Sequence, residues 1–267
     1  MKRLVTGLLA LVLGATSVGC ASSAPPVAAA APTVKAGSMA RFIVHDGYLY
    51  ALNKTELVVY DLETSGLMLP KQVGRLPVQA DAETLFPYGR LLFVGTRQGM
   101  LVYELGDHPE RPTLIGRAEH VVSCDPVVVE NDVAYVTLRS AGSCRRGQNA
   151  LLVFDVKDPT RPQQLAEKPL TNPHGLGVDG NMLFIADAKD GILVFDVREP
   201  REPKLLAKAP GVTGYDVISH AGTLFVSADD GLYQYRYGAE GIIEAAPISK
   251  IPIGAPTLQV AADPGAP

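Results

Sequence analysis

Glu83, Asp125, His174 and Asp216 stand at the starts of successive apolar runs. Aligning the runs on Tyr50, Phe93, Tyr135, Phe184 and Phe225 puts Ala40, Glu83, Asp125, His174 and Tyr215 at one level, with Asp216 beside Tyr215. Three carboxylates and an imidazole converging on one funnel would suit a divalent cation. The same groups could act as ligands or as acid and base in a metal-dependent hydrolysis. Polar residues at strand starts also cap turns and satisfy strand-end amides. No metal-spacing motif accompanies these four, so the capping role is the plainer expectation. A second tier of charge comes from Arg97, Arg139, Asp187, Lys189, Asp190, Asp229 and Asp230, all in loops that follow an apolar run. Mixed charge there would select a partner, or would simply be solvated loop tips.

No established catalytic motif is present. The chain has no Gly-x-Ser-x-Gly elbow, no phosphate-binding Walker loop and no His-Glu-x-x-His pair. It has no Trp, which weakens a broad sugar-stacking platform. Of 267 residues, 19% are charged and the net charge is −4. No basic run exceeds Arg145-Arg146, so no nucleic-acid partner is expected.

The elements that would position these residues repeat five times. The runs ELVVYDL (56–62), GMLVYEL (99–105), ALLVFDV (150–156), GILVFDV (191–197) and GLYQYRY (231–237) recur every 40 to 51 residues. A strand-like period of about forty marks a toroidal β-array. Each unit opens with a strand, for example ARFIV (40–44), and turns at pairs such as Asp46-Gly47 or Ala221-Gly222. Gly there accepts positive φ and favours a hairpin. A second strand, such as LLFVG (91–95) or MLFIA (182–186), precedes the shared run. Pro-rich turns follow at 106–112, 157–162 and 198–203, and a weaker fourth strand closes each unit. Pro tolerates an edge, which places that strand outermost. The continuous apolar runs suggest burial on both faces. The predicted fold is all-β, a β-propeller of five blades with four antiparallel strands each.

These strands resemble the LVIVD-repeat family. The resemblance covers nearly all of residues 39–237 and is most specific in LVFDVKDPTRPQ (152–163) and in residues 172–197. Units one and five depart most: Gly66-Leu67 replaces the Pro turn in one, and Arg236 replaces the acid in the other. The family implies a propeller and an exported or surface setting, and it implies no reaction.

The N-terminus supports export. Met1-Lys2-Arg3 followed by LVTGLLALVLGATSVG reads as a signal peptide over 1–19, too short in its apolar run to span a membrane. Gly19-Cys20 resembles a lipobox, with Ser17 and Val18 off its usual pattern, and implies a lipid on Cys20. Cleavage near Ser22-Ser23-Ala24 is the alternative. Residues 20–38 are Ala/Pro/Ser-rich and read as a tether, 39–253 as the propeller, and 254–267 as a disordered tail. An exported chain favours a disulfide between the remaining Cys124 and Cys144. Both lie on the face expected to carry the funnel. Closing a loop of about 20 residues would contribute about 3 kcal/mol.

The sequence therefore predicts a lipid-anchored propeller of the bacterial envelope, with the outer membrane as its expected site. It would act as a non-enzymatic module binding an envelope protein or another surface partner. A hydrolase with a divalent cation at the channel mouth is the alternative.

Overall fold

The computed structural model describes residues 37–53, 55–63, 69–78, 81–119, 126–140, 148–209, 211 and 214–253. Cys20, Cys124, Asp125 and Cys144 lie outside these, as do the signal, most of the tether and the tail. The lipidation and disulfide expectations therefore fall outside the described residues. No helix among the described residues is long and apolar enough to cross a membrane.

Among the described residues, twenty strands form five four-stranded antiparallel sheets, each in simple up-and-down order. Blade one holds β1 (Phe42–His45), β2 (Tyr48–Asn53), β3 (Glu56–Asp61) and β4 (Lys71–Pro77). Blade two holds β5 (Ala82–Tyr88), β6 (Leu91–Thr96), β7 (Gly99–Glu104) and β8 (Thr113–Glu119). Blade three holds β9 (Val127–Glu130), β10 (Val133–Leu138), β11 (Ala150–Asp155) and β12 (Gln163–Pro169). Blade four holds β13 (Pro173–Asp179), β14 (Met182–Asp187), β15 (Gly191–Asp196) and β16 (Lys204–Ala209). Blade five holds β17 (Gly214–His220), β18 (Thr223–Ala228), β19 (Gly231–Arg236) and β20 (Ser249–Pro252). The chain is a five-bladed β-propeller, as its repeats predict.

The alternation of each strand sends one set of side chains to the preceding blade and the other to the next. In β14, Leu183 and Ile185 join the cluster shared with blade three, whereas Phe184 and Ala186 join the one shared with blade five. That two-sided burial is why β6, β10 and β14 read as unbroken apolar runs. The outermost strands are the most exposed in each blade, and β20 is exposed throughout.

The Pro-rich turns are joints between blades. The Tyr50 hydroxyl donates to Pro109 O at 3.1 Å, from blade one to the turn of blade two. Gly74 and Gly116, on outer strands, let the next blade's turn approach: a Cβ would fall 2.0 Å from Glu110 O at Gly74 and 1.9 Å from Pro159 O at Gly116. Blade five lacks this turn, and its last strand, β20, begins only at Ser249. Gly241, at φ 73°, folds the connection back over Met182 and Val194 before β20 starts.

Three buried apolar clusters join blades one and two, blades two to four, and blades four and five. Among the described residues none joins blade five to blade one. On that side Phe42 is 69% exposed and Val44 56%. The junction is made instead near the hub by the chain entering at Gly37. Ser38 is fully buried, although the sequence places it at the end of the tether.

Candidate functional site

The inner strands carry β-bulges at their entry ends. The register with the second strand shifts between Ala82 and Thr84, between Pro173 and Leu176, and between Gly214 and Asp216. The extra residues are Glu83, His174-Gly175 and Tyr215, the level that the alignment singles out. A bulge re-aims the side chain it inserts. Here it turns Glu83 and His174 into the mouth of the hub, where both line a pocket of about 330 Å³. The other walls are Met39 and Arg41 from the entering chain, Asp81, Thr84 and Arg97 from blade two, and Pro126 and Arg139 from blade three.

Three arginines meet in this pocket. Arg97 donates from Nε to Glu83 Oε1 at 3.1 Å and lies 3.5 Å from Asp81 Oδ2. Those two acids offset its charge and hold its guanidinium in place. Arg41 and Arg139 have no ion-pair partner among the described residues. His174 is buried against the ring of Tyr215, with centroids 5.3 Å apart and an edge-on tilt of 66°. Burial lowers its pKa, the Arg139 charge adds to that, and Asp187 opposes it. His174 is thus held neutral, and among the described lining residues the uncompensated charge is positive.

Asp216 does not line the pocket. Its Oδ1 accepts from the Ser38 hydroxyl at 2.9 Å and from the Val217 amide at 3.0 Å. Ser38 Oγ in turn accepts from the Leu176 amide at 2.8 Å. The Asp216 carboxylate sits between two glycines: a Cβ would come 2.5 Å from Oδ2 at Gly37 and 2.0 Å from Oδ1 at Gly175. Desolvation raises the Asp216 pKa to about 6, against the lowering effect of bonds from Ser38, Val217 and Met39.

Of the four residues proposed for a cation, the structure brings Glu83 and His174 together. It commits Glu83 to Arg97 and Asp216 to Ser38, and Asp125 lies outside the described residues. No group of three or more His, Cys, Asp or Glu among the described residues is arranged to hold a metal.

The loop charges also sort into roles. Arg97 and Arg139 line the pocket. Asp187 is fully buried and accepts from four backbone amides: Asn172 at 2.8 Å, Lys189 at 3.0 Å, Asp190 at 3.1 Å and Thr171 at 3.2 Å. It organises its loop instead of selecting a partner. Asp190 binds the Thr171 hydroxyl and Lys208, Asp229 takes the Tyr215 hydroxyl, and Asp230 pairs with Lys250 and Tyr233. The sequence reading missed Ser38 and Arg41. Ser38 precedes the first repeat, where no copy exists to align it against, and Arg41 lies inside the repeat, one place past the level of Ala40 and Glu83.

No known family's sequence profile matches the chain, and no curated protein matches it in sequence. The likeness to LVIVD repeats rests on the repeat strands alone. Solved structures do share the fold. The computationally designed Ika8 protein superposes with a TM-score of 0.56 at 11% identity, over 79% of this chain and 60% of that one. A functionally unknown protein from Desulfotomaculum acetoxidans gives 0.60 at 14% identity, over 76% and 67%. The Pseudomonas aeruginosa periplasmic gluconolactonase PpgL gives 0.56 at 17%, over 79% and 69%. The chain thus spans three fifths of the designed protein's length, and at these identities the likeness is one of fold.

Proposed function

We propose that this chain is an envelope binding propeller whose hub mouth takes a small anionic group, a carboxylate or a phosphate. The group belongs to a free metabolite or to a surface partner. The observation that carries this reading is the meeting of Arg41, Arg97 and Arg139 on one pocket, two of them without an ion-pair partner among the described residues. A guanidinium offers paired N–H donors matched to carboxylate and phosphate oxygens. Arg97, locked by Asp81 and Glu83, supplies a fixed wall; Arg41 and Arg139 supply the charge. The pocket volume of about 330 Å³ falls in the small-ligand range. The lipobox-like Gly19-Cys20 and the Ala/Pro-rich spacer support export and lipid tethering, which would hold the pocket near the envelope.

Calorimetry on the full chain in detergent tests this with inorganic phosphate, gluconate and neutral glucose. Gluconate is included because one protein sharing this fold is a gluconolactonase. Binding of at least one anion and not of glucose is expected, with Arg139→Ala weakening it about tenfold, the scale of one charge-assisted contact. No anion binding, or binding indifferent to Arg139→Ala, would overturn it.

A second reading is favoured by His174. Its ring is buried in the pocket wall, held neutral, and makes no hydrogen bond among the described residues, as a general base for hydrolysing an anionic ester or lactone would require. Turnover of gluconolactone above the uncatalysed rate, lost in His174→Ala, would establish it. A cation-dependent form of this hydrolysis would need Asp125 and His174 joined by a third ligand, because Glu83 and Asp216 are engaged elsewhere.

A further inference from the structure

The inner edge of each first strand has no neighbouring strand, so its amides need other partners. Two of them are met by the segment that precedes β1. The Leu176 amide donates to Ser38 Oγ on blade four, and the Leu85 amide donates to Ala40 O at 2.8 Å on blade two. Between these points Asp216 of blade five accepts from the Ser38 hydroxyl and is also bonded by the Met39 amide. A turn closed by the Ala40 amide on Gly37 O keeps the segment compact, and Arg41 O accepts from the Leu52 amide of blade one. Residues 37–41 therefore cross the hub and touch blades one, two, four and five. Met39 and Arg41, on this same segment, form one wall of the arginine pocket.

We infer that residues 37–41 are a strap whose seating on Asp216 builds the pocket, which makes Ser38 and Asp216 positioning residues for the bound anion. The inference rests on the anion-binding reading for its ligand and on backbone geometry for the strap itself. Asp216 has no room to adjust between Gly37 and Gly175, so it fixes the height at which Ser38 sits. Ser38 fixes Met39 and Arg41, one and three positions on. Anything that lifts the strap takes one arginine from the site. By linkage, an anion held by Arg41 and Arg139 must hold the strap down by the same factor. The strap is also where the preceding residues of the chain join the propeller, so a pull on the tether would be opposed by the ligand.

The test is amide-resolved hydrogen exchange and calorimetry on the full chain, with phosphate and gluconate as probes. Ser38→Ala should speed exchange at Leu176 and Leu85 together by tenfold or more and weaken anion binding at least fivefold. Asp216→Ala, a second variant that leaves Ser38 in place, should do the same. In the wild-type chain, saturating anion should slow exchange at both amides. Arg139→Ala should weaken binding with exchange in the unliganded chain unchanged. Faster exchange at Leu176 alone would overturn the strap as a unit. Faster exchange at both with affinity unchanged would overturn its part in the pocket. If the wild-type chain binds neither probe, the anion reading fails and the strap is judged by exchange: a joint rise sustains it, and a rise at Leu176 alone ends it.

Discussion

Ser38 and Asp216 lie 178 residues apart in the chain and share a 2.9 Å hydrogen bond at the hub. One belongs to the segment before the first blade and the other to the inner strand of the last. This contact, more than apolar packing, joins the two ends of the propeller.

It has a pH signature. The Asp216 pKa is raised to about 6, chiefly by desolvation, from an ordinary 3.8. A carboxyl that binds its proton more tightly when folded gives stability that is fully present below the unfolded value and lost as pH rises through the folded one. The propeller should therefore lose about 3 kcal/mol between pH 4 and pH 6 from this group, then level off. Urea midpoints across that range should fall in the wild-type chain and flatten in Asp216→Asn. A rising midpoint, or an equal slope in the variant, would contradict the assignment.

Gly116→Ala should destabilise by about 2–4 kcal/mol, the range for a forced backbone displacement. The added Cβ would meet backbone, Pro159 O at 1.9 Å, and no flexible side chain is there to yield. Gly74→Ala should behave alike against Glu110 O at 2.0 Å. Both positions pair with the Val of their blade's third strand, as do Ala166 in blade three and Ala207 in blade four. Ala166→Gly is therefore expected to cost under about 1 kcal/mol. Thermal unfolding of the three variants checks the contrast, and equal losses at all three sites would refute it.

Asp187→Ala should cost about 2 kcal/mol, because it removes the buried carboxylate that four partly buried loop amides share. It should leave anion affinity in the pocket within about twofold once the chain is folded, a change of under 0.5 kcal/mol. Chemical denaturation and calorimetry on the same sample separate the two effects. A large loss of affinity with stability intact would mean that Asp187 acts on the ligand.

Much of the fold was legible because it repeats. LLVF and ILVF appear where two blade faces bury alternate side chains, and Pro162 and Pro203 appear just before outer strands. The level holding Glu83 and His174 was also legible, since alignment on Phe93 and Phe184 fixes it. What the alignment could not show is direction. The bulges turn Glu83 and His174 into the pocket, whereas Asp216 turns to Ser38. Asp187 resembled any charged loop residue, because burial under four amides leaves no mark on composition. Ser38 and Arg41 were hidden for a different reason. Ser38 precedes the first repeat and its partner Asp216 is 178 residues away, and Arg41 stands one place off the aligned level.

The unpacked join between the first and last blades has a mechanical consequence. Among the described residues, four of the five junctions are glued by buried hydrocarbon, and the fifth is held by polar contacts in the middle. Force applied through either end of the folded chain, at Gly37 or past Ile253, arrives at that fifth junction first. The wheel should come apart there like a clasp, with the three central blades the last to let go.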